Sequence, residues 1–311
     1  MGVIKNNPVE RAGGITQAVQ AAAWRILGGY SYTVTGAIAR ILTDEYPMFE
    51  IVFLRCVIAV LMMAPLILRL GIRKMKTVQP GMHLLRAVIG YCGILAWFYG
   101  VSHIPLADYY ALQFTMPLFT IAGAVIFLGE RTSIKTWIAV LIGFLGALII
   151  LRPGLIEISL GAIAALTAAV CFAAVNIAIK VLTRKDDPAV IVVYANVLVI
   201  PLALIPALFE WVPITWDDVP LILGVGIFGT LAQFSLTRAV ALADARVVQP
   251  FDFLRLPFAA LIGWFLFDEI SDIWTWVGAI IIFVAAYYVL AFETRRLKLE
   301  IFDLGGHIVR L

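Results

Sequence analysis

Apolar residues run through this chain in long blocks that polar residues interrupt only briefly. The blocks lie near 18–41, 47–69, 80–102, 106–128, 134–151, 158–182, 189–209, 219–241, 247–267 and 273–292. None shows the period-two alternation of a strand. Leucine, isoleucine, alanine, valine, phenylalanine and glycine fill every side of the helical turn instead. A bilayer core takes about 20 such residues in a helix, and lipid tolerates no unpaired backbone group. The pattern therefore predicts an all-α integral membrane protein of ten transmembrane helices, not an outer-membrane barrel. Short connectors carry the turn formers, as at Pro47, Pro80-Gly81, Pro153-Gly154, Pro188 and Pro213.

Composition agrees. Of 311 residues, 63% are hydrophobic and 14% charged, with a mean hydropathy of +1.01. Soluble domains hold about 45–50% apolar and about 25% charged residues. An ordinary soluble enzyme and a disordered chain are both excluded. The net charge of +3 gives no reason to expect a nucleic acid partner. Position matters more than total. Lysine and arginine cluster at 69–76, 131–135, 180–185 and 295–298, whereas the opposite flanks carry Arg152 alone, beside Asp44, Glu45, Glu210, Asp217, Asp218, Asp268, Glu269 and Asp272. This asymmetry orients a polytopic protein with both termini cytoplasmic. Cys56, Cys92 and Cys171 lie singly in apolar blocks, which suits buried small residues and no disulfide or metal framework. The first 14 residues lack the pattern of a cleaved signal.

The two halves of the chain echo each other. Leu106-Ala107-Asp108 opens the fourth block, and Leu242-Ala243-Asp244 leads into the ninth. Proline follows in each (Pro117; Pro250 and Pro257), then Glu130 or Glu269, then Trp137 or Trp276 seven residues on. Five spans per copy is an odd number, so the second copy enters from the opposite side. The organisation expected is a cytoplasmic segment 1–17, a first five-helix repeat 18–151, a loop 152–157, a second repeat 158–292 and a cytoplasmic tail 293–311. Inverted repeats in transporters place the cargo near mid-bilayer between halves. Pro117 and Pro257 remove a backbone donor and are expected to kink their helices.

The stretch 99–108 (YGVSHIPLAD), Pro117 to Thr120, Leu128 to Arg131, Trp137 and the Gly143/Gly146 pair resemble the EamA-type pattern of the drug/metabolite transporter superfamily. So do 238–244, Phe267 to Glu269, Trp276, and Phe53 to Arg55. The resemblance spans about 18–292. It implies a central cavity between two inverted repeats, and secondary transport or exchange of a small organic metabolite across an inner membrane by alternating access. His83 to Arg86 and Trp97 to Gly100 are most similar to S-adenosylmethionine transporters, so an amphoteric, S-adenosylmethionine- or amino-acid-like cargo is expected. A lipid-linked-sugar flippase, or an exporter of drugs or other metabolites, is the alternative on the same fold. No cofactor is implied; lipid is a partner, and a homodimer is compatible with the pattern.

Ionisable groups at depth are costly and mark function by default. Arg55, Asp252 and Arg255 are the deepest. Asp252 and Arg255, three residues apart, share a helical face. They form either a self-neutralising pair or a polar cavity wall, and Asp252 is the one candidate for proton coupling. Arg55 is either helix-packing glue or a ligand. Gln113, Asn176 and Gln233 sit near span centres and can bond across helices or to cargo. In proteins of this resemblance the first, third, fourth, sixth, eighth and ninth spans line the cavity; on them Tyr30 and Tyr91 are the central aromatic candidates. Arg25, Arg86 and Arg238 lie close enough to the cytoplasmic ends to snorkel, and Glu50 and Asp108 suit helix N-termini. With His83, His103 and His307 as the only histidines, and neither HExxH nor GxSxG, the chain lacks an enzyme's constellation.

Overall fold

The computed structural model describes residues 8–70, 76–128, 134–152, 159–182, 185–186, 188–242, 251, 254–285 and 287–288. In chain order the helices are α1 Pro8–Thr43, α2 Met48–Leu70, α3 Pro80–His103, α4 Leu106–Gln113, α5 Met116–Leu128 and α6 Ile134–Leu151. Then come α7 Leu160–Leu182, α8 Pro188–Ala207, α9 Val219–Leu242, α10 Arg255–Phe267 and α11 Ile273–Ala285. No strand occurs among the described residues. Six segments there are long and apolar enough to cross a membrane, on α2, α3, α4 with α5, α7, α8 and α9. The helices α6, α10 and α11 are apolar but shorter.

The fourth apolar block is two helices. α4 ends at Gln113, Phe114 and Thr115 make a turn, and Pro117 is the second residue of α5. Pro257 is likewise in the first turn of α10. The expected kinks are thus helix starts. At that position the missing N–H would have had no intrahelical acceptor, and proline's fixed φ suits the turn.

The packing exchanges partners between halves. α1 lies on α9 as α3 lies on α7; α2 meets α8 and α4 meets α10. Four of the lesser contacts between halves pair off too: α1 with α10 as α4 with α7, and α2 with α9 as α3 with α8. Exchanging α1–α4 for α7–α10 leaves this pattern unchanged, as a two-fold relation between halves requires. Most helix contacts therefore cross the seam between halves, and whatever lies at the centre is built from both.

Lipid tails are as apolar as leucine, so helices associate by close packing of small residues. The tightest approach of backbone to a glycine joins α6 to α11. A Cβ on Gly278 would lie 2.5 Å from the Gly146 carbonyl oxygen, and one on Gly146 would lie 2.8 Å from the Gly278 oxygen. Backbone cannot step aside there. Gly278→Ala is predicted to destabilise the protein by about 1–3 kcal/mol through overpacking. Gly81→Ala, whose added Cβ meets nothing within 4 Å, is the control. Melting temperatures of the purified variants check this.

Candidate functional site

Two layers of polar contacts and one central cavity join the halves. The first layer is at the end that carries the acidic connectors. α10 stops because Asp268 takes up the left-handed conformation (φ 53°). The chain folds back, the Glu269 N–H bonding the Gly263 carbonyl at 3.1 Å. This reversal lays the Glu269 side chain on Gly263, where a Cβ would meet Oε2 at 2.7 Å. From there Glu269 accepts from the Leu106 N–H at the start of α4 (2.9 Å) and pairs with Arg40 at the end of α1. Arg152 pairs with Asp272, and the Thr275 hydroxyl donates to Asp108 at 2.6 Å. Tyr46 donates to Asp218 at 2.7 Å, and the Val212 N–H to Glu50 at 3.0 Å. Glu50 and Asp108, expected to serve their own helix starts, bond across to the other half. Arg40 was hidden inside an apolar block; like Arg152, it is neutralised by an acid of the other half.

The second layer is at the opposite end. His83 Nε2 lies 2.9 Å from Asp186 Oδ2, which also accepts from the Thr77 hydroxyl at 2.6 Å. The His83 ring rests on Tyr194, 4.7 Å between centroids. Burial pushes the Asp186 carboxyl up, and the bonds from Thr77 and His83 outweigh it, leaving its pKa below the ordinary value.

Between the layers lies a cavity of about 90 Å³. α2 supplies Arg55, α3 supplies Arg86 and Gly90, α8 supplies Asn196, α9 supplies Gln233 and α7 supplies Phe172. Arg55 reaches it because α9 presents Gly229 opposite its aliphatic stem, 3.7 Å from where a Cβ would stand. Each arginine is only 9% exposed, and each Nε is buried without an acceptor. Arg55 Nη2 has a sulfur contact, Cys56 Sγ at 3.5 Å. Neither arginine is in an ion pair among the described residues, and no carboxylate lines the cavity there. Buried charge is normally paired. Two guanidiniums at the seam make this cavity a place for acceptor-rich ligands.

The EamA-like transporter family matches residues 20–152 and again 159–291. The chain belongs to this family. It is 32% identical over 287 residues to a riboflavin transporter of Vibrio cholerae, covering 91% of this chain and 96% of that one. It is 27% identical to an S-adenosylmethionine uptake transporter of Rickettsia bellii (89% and 96% covered) and 32% identical to a pseudopaline exporter of Pseudomonas aeruginosa (84% and 92%). These family members are membrane transporters of small molecules.

Of the residues expected at the site of this EamA protein, Arg55 and Gln233 line the cavity. Tyr91 adjoins it in sequence, its hydroxyl buried without a partner. Gln113 donates to Tyr109 and to the Ala165 carbonyl, both at 2.8 Å, and so ties α4 to α7. Asn176 is exposed, its amide 3.8 Å from the Met116 sulfur. Tyr30 packs edge-on to Phe258 and lines an apolar groove of about 420 Å³ between α1 and α10. Arg255 lies over the rings of Tyr32 and Tyr110, 5.3 and 5.6 Å from their centroids. Asp252, like Glu130 and Pro250, lies outside the described residues. Asn196 and Phe172 were not anticipated; an amide in the middle of the 189–209 block was the available signal for Asn196. Among the described residues no group of three or more His, Cys, Asp or Glu could hold a metal ion.

Two outcomes test the acidic-end layer. Glu269→Ala strands both Arg40 and the Leu106 N–H and should cost about 2–3 kcal/mol. Gly263→Ala displaces the same carboxylate, so the double variant should lose less than the sum. The second outcome concerns pH. The Thr215 and then Tyr46 hydroxyls hold the Asp218 carboxyl below its ordinary range, and the Trp274 N–H, assisted by Arg152, does so for Asp272. A depressed carboxylate stabilises the fold above its unfolded pKa, and that contribution is lost as pH falls through the folded value. The melting temperature of Asp272→Asn should therefore lie below wild type at pH 7 and converge with it below about pH 4.

Proposed function

We propose that this chain is a secondary transporter that carries a riboflavin-like metabolite across the inner membrane by alternating access, with the seam cavity as its cargo site. In this reading ten helices form two inverted five-helix repeats (18–151 and 158–292), both termini are cytoplasmic, and the acidic end faces outward. The observation that carries it is the pair of buried arginines without a carboxylate, at the junction of both halves. Rocking the halves about that junction exposes the cavity to one side and then the other. Polar ties at both ends suit a closed state, and 90 Å³ is small beside the roughly 300–1,000 Å³ of ligand pockets.

The cavity's charge bears on which relative to follow. S-adenosylmethionine carries a sulfonium and an ammonium against one carboxylate, so two unneutralised guanidiniums repel it. Riboflavin is uncharged and rich in carbonyl and hydroxyl acceptors, which guanidinium donors satisfy. An anionic metabolite, moved outward as by an exporter, is the second reading, and the same positive charge favours it. A lipid-linked-sugar flippase requires a polar lateral path. The groove on the outside of α1 and α10, lined by Tyr30, Leu261, Trp264 and Phe265, is apolar. Asp252 remains the candidate coupling group; with Arg255 three residues away, exchange without a proton is the mode we favour.

Counterflow in proteoliposomes tests the proposal. Vesicles preloaded with unlabelled riboflavin should draw in labelled riboflavin several-fold above empty-protein vesicles, with or without a pH gradient. Arg55→Gln and Arg86→Gln should each lower this at least tenfold, the loss of one charge-assisted bond of about 1.5–3 kcal/mol. Counterflow of S-adenosylmethionine without riboflavin would overturn the cargo assignment.

A further inference from the structure

The polar surface of the cavity is formed by Arg55, Arg86, Asn196 and Gln233. Arg55 and Arg86 present only donors, and their Nε groups lack acceptors. Asn196 is different. Its Nδ2 donates to the Val192 carbonyl at 2.9 Å, within its own helix. That bond turns the amide so that its Oδ1 remains to accept. Asn196 itself is 2% exposed. The rest of the wall is apolar, with Gly90, Phe172 and Val175 among its residues.

We infer that this cavity recognises the edge of a cyclic imide. A ring imide offers a carbonyl, an N–H and a second carbonyl in sequence along one planar edge. The two carbonyls meet the guanidiniums of Arg55 and Arg86, from the first half of the chain. The N–H meets Asn196 Oδ1, from the second. A carboxylate satisfies the arginines and leaves Asn196 facing a second acceptor; a cation reverses the match at both arginines. Cargo that bridges the halves through one edge also couples binding to their relative position. The pyrimidinedione ring of a flavin has this edge, so the inference rests on the riboflavin reading for that cargo while reaching all planar imides. A cavity of about 90 Å³ takes in that edge and leaves the rest of a flavin to be accommodated by opening.

The first comparison is of two ligands on unaltered protein, so it does not depend on the folding of a variant. Lumiflavin keeps the imide N–H; 3-methyllumiflavin replaces it with a methyl group. Quenching of flavin fluorescence by the purified, detergent-solubilised protein reads the affinity of each. The methylated ring should bind at least tenfold more weakly. Asn196→Leu should bind lumiflavin more weakly than wild type and should no longer distinguish the two rings. Equal binding of both rings to the wild-type protein overturns the inference. If neither flavin binds, thermal shifts with xanthine and its N-methylated forms separate the two ideas. A shift by xanthine that methylation of its imide nitrogen removes retains imide recognition and ends the riboflavin reading. A shift by S-adenosylmethionine alone, or by no imide, ends both.

Discussion

In lipid, two apolar helices gain nothing by touching except close packing, and in this chain the halves supply that packing to each other. α1 fits on α9, α3 on α7, α2 on α8 and α4 on α10, so neither half is complete alone. Small residues carry such contacts: Gly28 against Leu236 between α1 and α9, Gly93 against Cys171 and Phe172 between α3 and α7, and Gly226 against Ile58 between α9 and α2. A seam built this way passes through the centre of the molecule, and the only polar groups that belong there are those with work to do between halves. The arginines of α2 and α3 face the amides of α8 and α9 across it.

Charge is distributed along the seam in a consistent manner. At the acidic end each arginine is neutralised, Arg40 by Glu269 and Arg152 by Asp272. At the other end His83 and Asp186 meet. In the centre the guanidiniums of Arg55 and Arg86 face no carboxylate among the described residues. The ties at the acidic end are partly solvated, whereas His83–Asp186 is buried; uncompensated charge at the centre is costly until a ligand arrives. Paired charge at both ends thus flanks a centre whose charge is left for a ligand. Glu269 illustrates how local backbone geometry feeds into it. The left-handed Asp268 ends α10, the returning chain places Glu269 on Gly263, and one carboxylate then joins α1, α4 and α10.

The all-helical class and the two EamA repeats were legible from the sequence because hydrophobic blocks, proline punctuation and the duplicated Leu-Ala-Asp, Glu and Trp positions are local signals. The broken fourth span was only half legible: Pro117 marked the place, but a kink and a helix start differ in where the turn at Phe114 and Thr115 falls. The site was less legible. Arg55 and Gln233 stood out as polar residues at depth. Arg86 did not, because distance along the chain from a helix end cannot distinguish a snorkelling arginine from one turned inward towards α7 and α8. Gln113 and Asn176 looked like Gln233 in the sequence, yet one is spent on a backbone carbonyl and the other is exposed. Arg40 escaped notice because its partner is 229 residues away.

The most direct test of the central claim, that cargo lies at the seam between the four helices α2, α3, α8 and α9, is an electron cryomicroscopy map of the protein in lipid nanodiscs with riboflavin present. The expected result is planar ligand density within hydrogen-bonding distance of Arg55, Arg86 and Asn196. Density in the groove beside Tyr30 and Trp264, with the seam empty, would contradict it.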